Sequence, residues 1–177
     1  MIMPLGQQQL LLPAKPTFIW GTLLLALLFN MVQNIGWWGR AAWAPDVLAL
    51  VLVFWNVHQP RRVGMLAAFV FGMLVDVHQG SVLGQHALSY TVLSYFGITI
   101  HRRLLWFSVP QQALQVLPLL LTSHGVSLIV RMWVGDGFPG FMLLIAPLLE
   151  AVLWVPVSVL LLLPQKQAPD PDANRPL

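Results

Sequence analysis

Residues 141–163 read FMLLIAPLLEAVLWVPVSVLLLL, an apolar run broken by one ionisable side chain, Glu150. About 20 residues of helix cross the hydrocarbon core of a bilayer, so this run is long enough to do so. A helix at a protein–water boundary carries a broad charged face, and this one has a single ionisable residue. The reading it forces is that the solvent is lipid.

The chain upstream repeats the pattern. Apolar segments are expected to be helical over 17–35, 45–57, 63–77, 83–100 and 112–134, which with 141–163 makes six. The turn Gly135-Asp136-Gly137-Phe138-Pro139-Gly140 separates the last two. Segment 45–57 is short for a full crossing, and Pro45 suits a first helical turn. Pro118 lies inside the fifth segment, and Pro147 and Pro156 are expected to bend the sixth. The fold class is therefore an all-α integral membrane protein, a six-helix bundle over 17–163. Residues 1–16 form an N-terminal arm, and 164–177 form a polar, proline-rich tail expected to be disordered.

Composition agrees. Of 177 residues, 58% are hydrophobic and 8% charged, with a mean hydropathy of +0.75. Soluble domains are about a quarter charged, so this chain cannot clothe a water-facing surface. The isoelectric point is near 10.0, but it rests on few residues gathered between apolar runs. Topology accounts for them, whereas a phosphate backbone needs a broad basic face, so no nucleic acid is expected. With no cysteine, disulfides, iron–sulfur clusters and cysteine-ligated zinc are excluded.

Lysine and arginine set the orientation. With the N-terminus inside, the inner side holds Lys15, Arg61, Arg62, Arg102, Arg103, Lys166 and Arg175, and the outer side holds Arg40 and Arg131. Both termini are then cytoplasmic. Ala42-Trp43-Ala44 has the small-x-small look of a signal cleavage site, but the preceding run is too long for one and polar residues intervene. The first run is expected to stay as a helix.

Ionisable groups inside spans are rare and call for a reason. Gly64, Ala68, Gly72 and Asp76 fall four apart, a stripe of small residues ending in an acid. One reading is packing, with Asp76 capping a helix end or turn beside Gly80; the other is contact with a partner helix. Glu150 needs a partner, a proton of its own or water, and Arg131 is a candidate mate. It is a structural ion pair or a pocket residue. Ser123, Ser127 and Arg131 also recur every four residues, as interhelical glue. The five histidines show no compact ligand set, so no metal or other cofactor is expected. Ser81 near His86 lacks an evident orienting group, and phosphate loops and nucleophile elbows are absent, so no enzyme is expected.

Pro45-Asp46-Val47-Leu48 leading to Phe54-Trp55, then Asp76 with Gly80-Ser81-Val82-Leu83-Gly84, Ala87-Leu88, Tyr95 and Gln111-Gln112-Ala113-Leu114 stand in an order that resembles the MreD family. The resemblance implies a non-enzymatic membrane subunit of the cell-elongation machinery. Its members act with MreC, and through it with MreB, RodA and a penicillin-binding transpeptidase, to organise lateral peptidoglycan synthesis and keep cells rod-shaped in the inner membrane. It also implies a fold similar to the substrate-binding subunits of energy-coupling-factor transporters, with outer loops bordering a cavity. The alternative function is such a subunit for a small, vitamin-type molecule. Candidate partner-contact or cavity residues are Gly64, Ala68, Gly72, Asp76, Gly80, Ser81, Gly84, Arg131 and Glu150.

Overall fold

The computed structural model describes residues 14–35, 43–135 and 137–165. The expectations for residues 1–13 of the arm, for Arg40 and for tail residues 166–177 lie outside them. Among the described residues there are six α-helices and no strand: α1 (Pro16–Ile35), α2 (Val47–His58), α3 (Met65–Gln79), α4 (Gln85–Leu104), α5 (Val109–Trp133) and α6 (Ile145–Leu162). Short 3-10 turns, Phe141–Leu144 and Leu163–Gln165, flank α6.

The shortest helix lies deepest. Every residue of α2 from Leu48 to Val57 is buried. Its sequence is apolar on all sides, the mark of a helix surrounded by protein. At 1.5 Å per residue it is about 18 Å long, well under the ~30 Å of a bilayer core. Because other helices sheathe it, lipid thickness does not dictate its length. The indole N–H of Trp55 donates to Thr22 Oγ1 of α1 at 2.9 Å. Asn56 donates to Ser94 Oγ of α4 at 2.6 Å, with both side chains fully buried. The rings of Phe54 and Trp154 bring α6 against the same core, centroids 6.1 Å apart.

The outer face is apolar too. Leu25 of α1, Leu114 of α5 and Val152 of α6 are 70%, 74% and 71% exposed. Pro16–Asn34, Val109–Trp133 and Phe141–Gln165 are each long and apolar enough to cross a membrane. Large aliphatic side chains facing outward on three such helices suit a hydrocarbon solvent, so the bundle is that of a membrane protein.

Local chemistry moves several helix ends from where the segments predict them. Gly84, at φ +100°, sits in a backbone region closed to most residues, so α4 starts at Gln85. At its other end α4 continues through His101, Arg102 and Arg103, expected in a loop. Cationic side chains there face the negative end of the helix dipole. The α5 helix starts at Val109, where the Ser108 N–H donates to the Gln111 side chain at 3.2 Å and Pro110 occupies the first turn. Pro147 falls in the first turn of α6, where a missing N–H disrupts nothing; Pro156 alone is interior to that helix.

Helices α3 and α4 meet backbone to backbone at Gly72. A Cβ there would lie 2.4 Å from Ala87 Cα and 2.5 Å from Ala87 N, closer than any real contact. Replacing Gly72 with Ala is predicted to force these helices apart, at about 1–3 kcal/mol. Gly21, with nothing within 4 Å of its Cβ position, serves as control. Gly21→Ala should match or exceed wild type in a detergent melting curve, since Ala favours helix by ~1 kcal/mol. Equal melting of the two variants would contradict the close approach.

Candidate functional site

The helices run alternately, so one end of the bundle gathers the C-termini of α1, α3 and α5 with the N-termini of α2, α4 and α6. A cavity of about 430 Å³ opens there. Carboxamides dominate its lining: Asn30, Gln33 and Asn34 from α1, Gln79 from α3 and Gln85 from α4. Ser81, His86, His124, Ser127 and Arg131 complete the polar surface. Lys15, Arg61, Arg62, Arg102 and Arg103 all lie at the opposite end of the bundle.

Asp46 forms part of the floor. As N-cap of α2 it accepts the Ala49 N–H at 3.0 Å, satisfying one of the donors a helix start leaves bare. The same carboxylate accepts from Asn30 of α1 at 2.8 Å and from the Tyr90 hydroxyl of α4 at 2.5 Å. The Asp46 backbone N–H in turn donates to Glu150 Oε1 at 2.7 Å. His124 Nε2 of α5 lies 2.9 Å from that same oxygen. Five helices are thereby tied at one polar node.

Glu150 is fully buried, and its ionisable partner is His124. Arg131, the mate considered from sequence, lines the cavity instead. The difference is depth. His124 is seven residues, about 10 Å, farther from the C-terminal end of α5 than Arg131, and that places it level with Glu150. Asp46 and His124 are the site residues that sequence reasoning passed over. An Asp directly after Pro45 at a helix start is an N-cap signal, and it was there to be read.

Asp76 is a second anchor, also fully buried. Its carboxylate accepts from Ser81 Oγ at 2.9 Å, from the backbone N–H groups of Gly84 and His86 at 2.9 Å each, and from Ala87 N–H at 3.3 Å. His86 Nδ1 lies 2.8 Å away. The carboxylate thus caps the N-terminus of α4 with charge of the sign its dipole attracts. Gly80, at φ +59°, ends α3 and lets the chain turn back into this cap. The hydroxyl of Ser81 donates to the carboxylate and not to an imidazole. In a nucleophile triad the hydroxyl bonds to the histidine, so this is a different arrangement.

The remaining residues separate into groups. Gly80, Ser81 and Arg131 line the cavity, while Gly84 serves the Asp76 cap. Ala68 is fully buried, and Gly72 packs on α4 of the same chain. Gly64 is the N-cap of α3 at the far end of that helix. Of the serine stripe on α5, Ser127 accepts from Gln85 at 2.8 Å and Ser123 is buried. Among the described residues, no three His, Asp or Glu side chains gather as a metal site would require.

Asp76→Ala would leave several buried donors bare, and a loss of about 3 kcal/mol or more is predicted. Asp76→Asn keeps one acceptor and should fall between Ala and wild type. Melting curves of the purified variants in detergent test the order; an Asp76→Ala protein melting with wild type would refute the cap.

A family model described as rod shape-determining protein MreD matches residues 14–163, from just before α1 to the end of α6. A rod shape-determining protein MreD of Haemophilus influenzae is 33% identical over 94 residues, covering 50% of this chain and 58% of the relative, so the chain spans little more than half of that protein's length. No solved structure matches the chain. The family match takes in all six helices and every residue of the Asp46–Glu150–His124 node and the Asp76 cap. The chain therefore belongs to the MreD family of rod shape-determining membrane proteins.

Proposed function

We propose that this chain is a non-enzymatic inner-membrane subunit of the cell-elongation complex. It works beside MreC, and through it with MreB, RodA and the penicillin-binding transpeptidase, to organise lateral peptidoglycan synthesis and maintain rod cell shape. The observation that carries the reading is the family match over residues 14–163. The chemistry of the site is compatible with it, because its acids fasten helices: buried Asp76 the start of α4, half-buried Asp46 and buried Glu150 the junction of five helices. The distribution of arginines supports an outward-facing cavity with both termini cytoplasmic. Gly72 is taken up within the chain, so partner contact is assigned to the cavity rim around Gly80, Ser81 and Arg131.

A second reading is favoured by one observation. The cavity, at about 430 Å³, exceeds the ~300 Å³ at which small-molecule sites begin. A substrate-binding subunit of a transporter would use such a space. Mass spectrometry of the purified protein separates the readings, since a transporter subunit should retain a stoichiometric small molecule.

Depletion of the chain in its own host is predicted to round the cells, and wild-type copies should restore rods. A photo-crosslinker at Ser81 or Arg131 should give an adduct with MreC. Rods persisting after depletion, with no second copy present, would contradict the proposal.

A further inference from the structure

On one face of α6 three buried polar atoms find no hydrogen-bond partner among the described residues: Glu150 Oε2, Trp154 Nε1 and Ser158 Oγ. All three side chains are fully buried. They recur every four residues, so their α-carbons step about 6 Å along the helix from one to the next. Two hydrogen bonds of ~2.8 Å through one water cover that step. The chemistry also alternates suitably. A carboxylate oxygen only accepts, an indole N–H only donates, and a hydroxyl does both.

We propose that Glu150, Trp154 and Ser158 form an internal water-binding file that opens at the floor of the cavity. The first water accepts from the Trp154 indole and donates to Glu150 Oε2; its other proton goes to a second water, which the Ser158 hydroxyl holds. Glu150 Oε1 is bonded to His124 and to the Asp46 N–H, and both of those residues line the cavity. The file therefore starts directly behind the cavity wall and reaches about 12 Å deeper along α6. Buried polar groups with no protein partner are the usual hosts of structural water.

The chain has no cysteine, so single-cysteine variants report cleanly. Silver ion, small enough to follow water, is added to the detergent-solubilised Ser158→Cys protein. Protection of the thiol from later maleimide labelling in denaturant is then timed. The lipid-facing Val159→Cys, at an exposed position, is the control. Ser158→Cys should be protected at least ten-fold faster than Val159→Cys. Equal rates would overturn the proposal. If Ser158→Cys does not fold, Ser158→Ala decides. A hydrated hydroxyl predicts a fall in Tm of about 3 °C or more. An unchanged or higher Tm would mean a dry file and would overturn it equally.

Discussion

The Glu150 carboxylate, held between the Asp46 backbone N–H and the His124 ring, is the contact on which the arrangement of helices turns. A polar group in a low-dielectric interior is costly unless hydrogen-bonded, and Glu150 Oε1 has two partners. Asp46 meets the same demand with bonds from α1, from the start of α2 and from α4. Each bond comes from a different helix, so satisfying two carboxylates fixes where five helices converge. The cavity lies above this node, at the polar helix ends that carry carboxamides and histidines.

This node also accounts for a helix too short to span. The α2 helix touches protein on all sides and starts at a polar floor, so its first turn never meets hydrocarbon. Irregular backbone at membrane depth is stable where it lines such a cavity, and residues 44–46 do so. Asp76 performs a parallel task at the α3–α4 turn, where capping and the close approach at Gly72 reinforce each other. Holding helices in place is what the hydrogen bonds of these acids do.

Much of this was legible in the sequence. Apolar runs separated by basic or glycine-bearing turns identify the six helices, because lipid demands the same side-chain class along a whole span. Asp76 beside Gly80 reads as a cap, since the capped donors lie only eight to eleven residues away. Glu150 was less legible. Its partners His124 and Asp46 lie on other helices, and no periodicity links positions 46, 124 and 150. Arg131 was the more obvious cation, but pairing depends on depth along two packed helices, and depth is set by the bundle. The burial of α2 was hidden for the same reason, since an all-apolar helix looks alike facing lipid or protein.

The central claim is that Glu150 and His124 act as one fastening unit. A double-mutant cycle with Glu150→Gln, His124→Ala and both, followed by melting in detergent, measures it most directly. The two losses should be strongly non-additive, with a coupling of about 1 kcal/mol or more. Losses that simply add would mean that the two side chains do not hold each other, and that the junction of the five helices rests on something else.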